Sequence, residues 1–221
     1  MRNQIFQMLR TILFLFIPLF SLNVAFAQKS WKLASKKEGI QIYTAAVPDS
    51  KVNAIRVECS LNARPTQIVA LLMDVESAPK WIYHTKSCKL IKRVSASELY
   101  YYSEVSVPWP VENRDFVAHL TVNQDARSKV VTIDGPAVSG YVPLKSGIVR
   151  IDNSKGKWII TPAGDGKIHI EYTLHADPGG AIPAWMVNMF ATEGPLQIFR
   201  QLKLQLEKPE YKHAQLAYIQ D

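Results

Sequence analysis

Two stretches that each end a strand and begin a new element constrain this fold most. Residues 107–116 read VPWPVENRDF and predict a strand that ends in a proline-bounded loop and returns as another strand. Residues 177–185 read DPGGAIPAW and predict a strand that stops at a Pro-Gly-Gly turn before a long helix. A loop and a helix placed to close over a curved sheet indicate a container for a hydrophobic molecule rather than a reaction centre.

The first 27 residues have the three parts of a secretory signal peptide. Arg2 and Arg10 precede an apolar run over residues 12–20, and residues 25–27 read AFA, a small-residue cleavage site. Even stretched to that site, the apolar segment covers about 16 residues, short of the roughly 20 that a spanning helix needs. We therefore expect export to the periplasm or the extracellular space, with an uncleaved anchor as the alternative.

Residues 28–221 have the length of one domain with a substantial core. Removal of the predicted signal peptide would take away Arg2 and Arg10 and lower the formal net charge from +7 to +5. The remaining Lys and Arg residues are scattered. Nucleic-acid binding requires a basic stripe interleaved with aromatic residues, which is absent. We expect a monomeric, mildly basic domain that does not bind nucleic acid.

The two cysteines allow two interpretations. An oxidising compartment permits a disulfide between Cys59 and Cys88. Cys59 also continues the apolar alternation of Ile55 and Val57, as a small buried residue would. The alternation favours the buried interpretation, and the spacing leaves the disulfide open.

Strands dominate the sequence after residue 87, where β-branched and aromatic residues are enriched between turn-like borders. The predicted strands are 41–47, 53–62, 88–94, 98–107, 115–123, 129–134, 147–152, 157–163 and 167–177. Residues 163–166 read AGDG, which is typical of a hairpin turn. Strands joined by hairpins form an antiparallel sheet, so the predicted class is α+β.

Three helices are predicted around these strands. A short one is expected over residues 30–37, and a second is expected to begin at an N-cap, Thr66, and to be broken by Pro79. The third covers residues 182–206, with a kink expected at Gly194-Pro195 because proline removes a helical hydrogen bond. Its apolar side must pack on the sheet.

The chain resembles the START family, the steroidogenic-acute-regulatory-related lipid-transfer domains, over nearly all of residues 28–221. Residues 108–117, residues 177–185 and the segment from Asp74 to Trp81 match three of its regions in the right order. The resemblance implies a helix-grip (START or Bet v 1-like) fold, in which a curved antiparallel sheet surrounds the C-terminal helix and an internal apolar tunnel. It also implies binding of a lipid or another hydrophobic small molecule, with possible transfer between membranes and transient contact with their surfaces.

The same resemblance fixes which side chains face the tunnel and its lid, the 107–113 loop and the C-terminal helix. The expected ligand-binding residues are Tyr101, Ser103, Val105, Val107, Trp109, Phe116, Ala118, Leu120, Ile170, Tyr172, Leu174, Trp185, Met186, Met189 and Phe190. The polar features of this surface are the hydroxyls of Tyr101, Ser103 and Tyr172. A buried hydroxyl needs a partner, and a ligand oxygen, a water or a backbone carbonyl would each serve.

Two ligand codes of the family are missing at the matching positions. Phosphatidylcholine-transfer relatives carry an arginine where this chain has Ala78, and an aromatic cage where it has Ser103 and Phe116. Cholesterol-binding relatives carry an acid and an arginine where it has Tyr101 and Leu120. The resemblance therefore predicts a lipid ligand without identifying it, and leaves transfer, storage and sensing open.

No catalytic, metal-binding or cofactor-binding motif occurs in the sequence. His119 and His169 fall on the outward face of their predicted strands, which leaves His84 as the one histidine near a tunnel mouth that could act as an acid or base. We expect a non-enzymatic protein without metal or cofactor. The alternative is a helix-grip enzyme of the polyketide cyclase or aromatase type that uses His84 or Tyr101.

Overall fold

The computed structural model describes residues 30–50, 52–180, 183, 186–187 and 189–221. The predicted signal peptide and Trp185 lie outside the described residues. The strands are β1 (Lys32–Lys37), β2 (Ile40–Ala45), β3 (Ala54–Asn62), β4 (Thr85–Ser95), β5 (Glu98–Val105), β6 (Asn113–Gln124), β7 (Val131–Pro136), β8 (Ile148–Arg150), β9 (Ser154–Pro162) and β10 (Lys167–Ala176). The helices are α1 (Pro65–Met73), a 3₁₀ helix (Val75–Lys80), a π-helix (Met189–Glu193), α2 (Gly194–Leu206) and α3 (Pro209–Lys212).

The described strands form one sheet in the order β1-β2-β3-β10-β9-β7-β6-β5-β4, with β8 beside β6. All neighbours along this order are antiparallel, and the short β8 is parallel to β6. α2 packs on one face of the sheet, where Phe199 and Leu202 are buried. The predicted α+β class, with an antiparallel sheet and a C-terminal helix, is confirmed. No described helix is long and apolar enough to cross a bilayer.

The first predicted helix is wrong, because residues 32–37 form β1 and pair with β2. Glu38 and Gly39 join the two strands with φ angles of 53° and 75°. Two consecutive positive φ angles are typical of the tight turn that closes a two-residue hairpin. The Glu38 carboxylate receives hydrogen bonds from the guanidinium of Arg200, which fastens the hairpin tip to α2.

The boundaries of the second helix also differ from the prediction. Arg64 is the N-cap of α1 and Pro65 occupies its first turn, where a missing N–H costs no hydrogen bond. Thr66 is therefore inside the helix, and its N–H and hydroxyl both donate to Asp221. The α-helix ends at Met73, and Pro79 lies within the following 3₁₀ helix.

The third helix changes its winding at the predicted kink. The π-helix ends at Glu193 and α2 begins at Gly194, so Pro195 lies in the first turn of an α-helix. A Cβ on Gly194 would lie 3.1 Å from the carbonyl oxygen of Met189 and 3.2 Å from a ring carbon of Tyr83. The glycine lets the helix approach the segment that precedes β4.

Candidate functional site

The inner face of the sheet has a closed end and an open end. At the closed end, Leu99, Ile133 and Ile168 are fully buried in the core with Phe199 and Leu202 of α2. The same strands become less buried in the direction of residues 106–112 and 177–180. The half-buried residues at that end are Tyr101, Val105, Phe116, Tyr172 and Leu174. Apolar side chains that face inward yet keep accessible surface indicate a space between the sheet and the helix.

Tyr101 projects into this space from β5. Its ring lies edge-on to that of Phe116 on β6, with 5.9 Å between centroids and 77° between planes. Desolvation by burial, followed by the nearby Cys88 and Tyr172, raises the pKa of Tyr101 far above its ordinary value. The hydroxyl is therefore a neutral hydrogen-bond donor at any physiological pH.

Tyr172 projects from β10 against an aromatic group that the predicted ligand-binding set did not include. Trp158 of β9 stacks on Tyr172 at 4.3 Å and on Phe199 at 5.5 Å between ring centroids. The Tyr172 hydroxyl lies 3.8 Å from the position that a Cβ on Gly156 would occupy. Burial also raises the pKa of Tyr172 well above the ordinary value, so its hydroxyl stays protonated.

Trp158 and Gly156 could have been identified from the strand pattern. They alternate with exposed Lys155 and Lys157, and they pair with Tyr172 and Leu174 on the neighbouring strand. The period of two alone places them on the inner face once β10 is oriented. Gly135 on β7 pairs with Gly156, so two adjacent inward positions lack side chains. Leu120 packs against Gly135, 3.1 Å from the position of a Cβ there, whereas Gly156 leaves room beside Tyr172.

The loop between β5 and β6 is held at its base and exposed at its tip. The Val107 N–H donates to the Asn113 side-chain oxygen at 3.1 Å, and Val111 N–H donates to Pro108 O at 3.2 Å. The turn points Trp109 away from the interior, and 92% of its surface is exposed. In this conformation Trp109 does not line the interior, whereas Val107 is buried, and the roles of both residues in ligand binding stay predictions.

Arg114 connects the loop with the turn that precedes the C-terminal helix. Its guanidinium donates to the carbonyl oxygens of Glu112, Pro178 and Gly179, the last two at 3.3 Å. Only 3% of its surface is exposed, and no described carboxylate pairs with it. Desolvation accordingly lowers the pKa of Arg114, with Glu112 acting in the opposite direction. The two stretches that define the fold are thus joined by one side chain.

Asp115, next in the chain, faces the other side of the sheet. Its two carboxylate oxygens accept from Arg150 Nε at 2.6 Å and Nη2 at 3.0 Å, and Tyr102 Oη donates to Oδ2 at 3.0 Å. Arg150 also holds the carbonyls of Val142 and Pro143. This network attaches the segment between β7 and β8 to the outer face.

Glu104 and Tyr100 lie on the outer face of β5, and both are covered by other parts of the chain. Glu104 is buried and accepts hydrogen bonds from Lys86 at 2.8 Å and from the Asn113 amide at 3.1 Å. These bonds lower its pKa, the bond from Lys86 most. Tyr100 is stacked between His119 and Tyr141 of the covering segment. Alternation predicts the direction of a side chain but not whether something covers it.

The C-terminal helix contributes the other side of the space. Met186 is buried, and Met189 and Phe190 are half-buried. The Phe190 ring centroid lies 6.5 Å from that of His84, whose Nδ1 contacts Ser106 O at 3.0 Å. His84 therefore bridges the loop base and the helix, with one ring nitrogen engaged by a backbone carbonyl.

The remaining predicted site residues divide between the space and the core. Ala118 is buried between Phe116 and Leu120, and Ser103 is buried with its hydroxyl donating to Ser87 O at 3.4 Å. Leu120 and Ile170 belong to the closed end. Their contribution to ligand binding stays a prediction.

The buried interpretation of the cysteines is confirmed, since Cys59 and Cys88 are both free and buried. Burial raises the pKa of each thiol to about 12. Thiolates are the reactive form, so neither residue is expected to react with thiol reagents in the folded protein. Across the described ranges, no three His, Cys, Asp or Glu side chains are grouped so that they could hold a metal ion.

Replacing Arg114 with methionine is expected to destabilise the protein by about 1–3 kcal/mol, because three carbonyl oxygens in partly buried hydrogen bonds lose their donor. Urea unfolding measures the change in the free energy of unfolding. Hydrogen exchange at residues 176–180 should accelerate more than exchange in the core. The matched control is Arg127→Met, which removes an exposed arginine. Equal stability of both variants would show that the Arg114 contacts do not hold the turn.

Known proteins resemble this chain over the whole site. A family model described as START domain matches residues 18–210. An uncharacterised protein of Pseudomonas aeruginosa is 34% identical over 180 residues, which cover 81% of this chain and 88% of that relative. Phosphatidylcholine transfer protein of Mus musculus is 27% identical over 172 residues, which cover 74% of this chain and 78% of that protein.

The structure of a similar protein has also been solved. The crystal structure of a fragment of the STAR-related lipid transfer protein from Xanthomonas axonopodis superposes with a TM-score of 0.73 at 34% identity. The superposition covers 80% of this chain and 99% of the other. The family match includes the loop, Arg114, the Pro-Gly-Gly turn and the C-terminal helix.

Proposed function

This chain belongs to the START domain family, and on that premise we propose that it binds one lipid, or a hydrophobic molecule of similar size, and carries it between membranes. The observation that carries the proposal is the open end of the inner face. Apolar and aromatic side chains from β5, β6, β9 and β10 keep accessible surface there, beneath the loop and the C-terminal helix. Such a surface is favourable only when an apolar molecule covers it.

Entry of the lipid requires the loop and the helix to separate. Arg114 and His84 span this boundary through hydrogen bonds to backbone carbonyls and a ring contact with Phe190. Contacts of this kind are few and local, so the lid can open without unfolding the closed end of the core. The fully buried residues around Phe199 stay packed while the lid moves.

The exposed loop tip is suited to the membrane step. Trp109 is an amphipathic aromatic residue, which is favourably placed at the level of lipid headgroups. A contact by this residue would bring the loop, and with it the mouth of the space, to the bilayer surface. Residues 1–27 have the features of an export signal, so the proposed site of action is outside the cytoplasm.

A transfer assay between donor and acceptor vesicles tests this function. The wild-type protein should accelerate movement of a labelled lipid, and Trp109→Ala should slow transfer several-fold while the amount of lipid bound per chain stays the same. Leu33→Ala, which removes an exposed apolar side chain on β1, is the control and should transfer normally. Equal rates for wild type and Trp109→Ala would disprove the role of the tip. Absence of both binding and transfer in the wild type would contradict the proposed function.

A further inference from the structure

Two phenolic hydroxyls face the interior without a hydrogen-bond partner among the described residues. Within the part of the chain that the structure describes, neither Tyr101 nor Tyr172 donates or accepts a side-chain hydrogen bond. Buried tyrosine hydroxyls are normally paired, because an unmade hydrogen bond in a desolvated site is costly. Both residues keep accessible surface, so a bound molecule can reach them.

The two rings are held in place by aromatic neighbours rather than by their hydroxyls. Trp158 stacks on Tyr172 with 29° between the ring planes. Phe116 packs edge-on against Tyr101, with 77° between the ring planes. Ring packing of this kind fixes both hydroxyls before any ligand arrives, which reduces the entropy lost on binding.

Tyr172 extends across its neighbouring strand towards the part of the sheet that carries Tyr101. β5 and β10 are separated by β9, β7 and β6 in the strand order. The Tyr172 hydroxyl nevertheless lies 3.8 Å from the position of a Cβ on Gly156 of β9, and the partner of Gly156 on β7, Gly135, lies beside Leu120 of β6. Leu120 follows Ala118, the β6 partner of Tyr101, on the same inner face. The two side chains therefore face one region of the interior.

The surface around these hydroxyls carries no charge. Among the described residues, the inward positions near them are Ser103, Val105, Phe116, Ala118, Trp158 and Leu174. Arg114, a cation with inward strand parity, is already bound by three carbonyl oxygens at the mouth. Lys37 and Arg93 pair with inward-facing residues on the two edge strands, and both are exposed. A phosphate or an ammonium group placed beside Tyr101 and Tyr172 would lose its hydration without gaining an opposite charge, which is strongly unfavourable.

We propose that Tyr101 and Tyr172 together hold the oxygen-bearing end of a neutral lipid, whose ester or ketone carbonyl or hydroxyl accepts hydrogen bonds from the two phenols. This inference rests on the proposed lipid-binding function and specifies its ligand class. Charged phospholipid headgroups are excluded from this position, and the acyl or ring portion of the ligand covers the apolar surface towards the lid.

Three lipids with the same acyl chains distinguish a neutral ligand from a phospholipid. The protein is incubated with vesicles of dioleoylphosphatidylcholine that contain equal amounts of dioleoylglycerol and dioleoylphosphatidate, then repurified, and the retained lipids are counted by mass spectrometry. The wild type should retain dioleoylglycerol in preference to both phospholipids. Retention of either phospholipid instead would overturn the ligand class and leave lipid binding intact. Retention of none of the three would remove both proposals.

Variants test the hydroxyls themselves. Tyr101→Phe and Tyr172→Phe should each reduce dioleoylglycerol retention by about threefold to tenfold, the range expected for one neutral hydrogen bond. The Tm of both variants without lipid should be unchanged or higher, since neither hydroxyl is bonded to another residue in the described ranges. Tyr100→Phe, on the outer face of the same strand, is the control and should retain lipid normally. Unchanged retention in both Phe variants, or a fall in lipid-free Tm, would assign the hydroxyls a structural role and refute the proposal.

Discussion

Replacing Gly156 with leucine is expected to abolish lipid binding while leaving the fold intact. A Cβ at this position would meet Gly135 O at 3.6 Å and Leu174 Cδ1 and Tyr172 Oη at 3.8 Å, all ordinary contacts. Gly156 does not have a left-handed backbone, so a side chain introduces no backbone strain. The rest of the leucine extends into the space that we assign to the ligand. Retained lipid should fall from one molecule per chain to less than about one in ten, while Tm stays the same or rises because the leucine fills empty space.

The neighbouring position provides the control for this variant. Lys155 lies on the same strand, faces the opposite side of the sheet and is exposed. Lys155→Leu should retain lipid as the wild type does. If Gly156→Leu also retained a full complement of lipid, the ligand would have to lie elsewhere, and the assignment of the inner face would fail.

Replacing Asp115 with asparagine is expected to be the most destabilising single change outside the core. Only 1% of the Asp115 side chain and 6% of the Arg150 side chain are exposed. Neutralising the carboxylate leaves a buried guanidinium without its counter-charge, and breaking such a pair costs about 3–5 kcal/mol. The loss should appear in the free energy of unfolding measured with urea. Hydrogen exchange should also show that residues 139–150 detach before the sheet unfolds.

The matched variant removes a carboxylate of the same type from an exposed pair. Asp134 and Lys157 lie 3.6 Å apart, with 49% and 46% of their side chains exposed. Surface pairs of this kind contribute less than about 1 kcal/mol. Asp134→Asn should therefore be nearly neutral. A loss of similar size in both variants would show that the Asp115 network does not hold the covering segment.

The strands were predictable because their inner faces are apolar and their borders carry turn residues. The hairpin at residues 163–166 and every strand from β4 onward follow from that pattern. β1 was mistaken for a helix because it is an exposed edge strand without an apolar face, and its Glu38-Gly39 turn lacks the usual Asn or Asp. A strand of this kind is specified by its partner rather than by its own sequence.

The sequence predicts which face of the sheet a side chain lies on better than it predicts how deeply that side chain is buried. Strand parity taken from the family resemblance placed Tyr101 and Tyr172 on the inner face, and both pack beside the core there. Parity does not tell the open end of the face from the closed end, so whether fully buried residues such as Leu120 and Ile170 reach a ligand stays a prediction. That distinction depends on where α2 packs, which is a long-range property. The burial of Glu104 beside Lys86 and Asn113 had no local signal either.

The central claim, that one lipid occupies the space under the lid, is tested most directly by native mass spectrometry of the protein purified from its own host. The spectrum should show the chain with one bound molecule, whose mass matches a lipid recovered by solvent extraction. The adduct should be absent from Gly156→Leu and present in Lys155→Leu. A wild-type protein that carries no lipid, and binds none from host-lipid vesicles, would contradict the account.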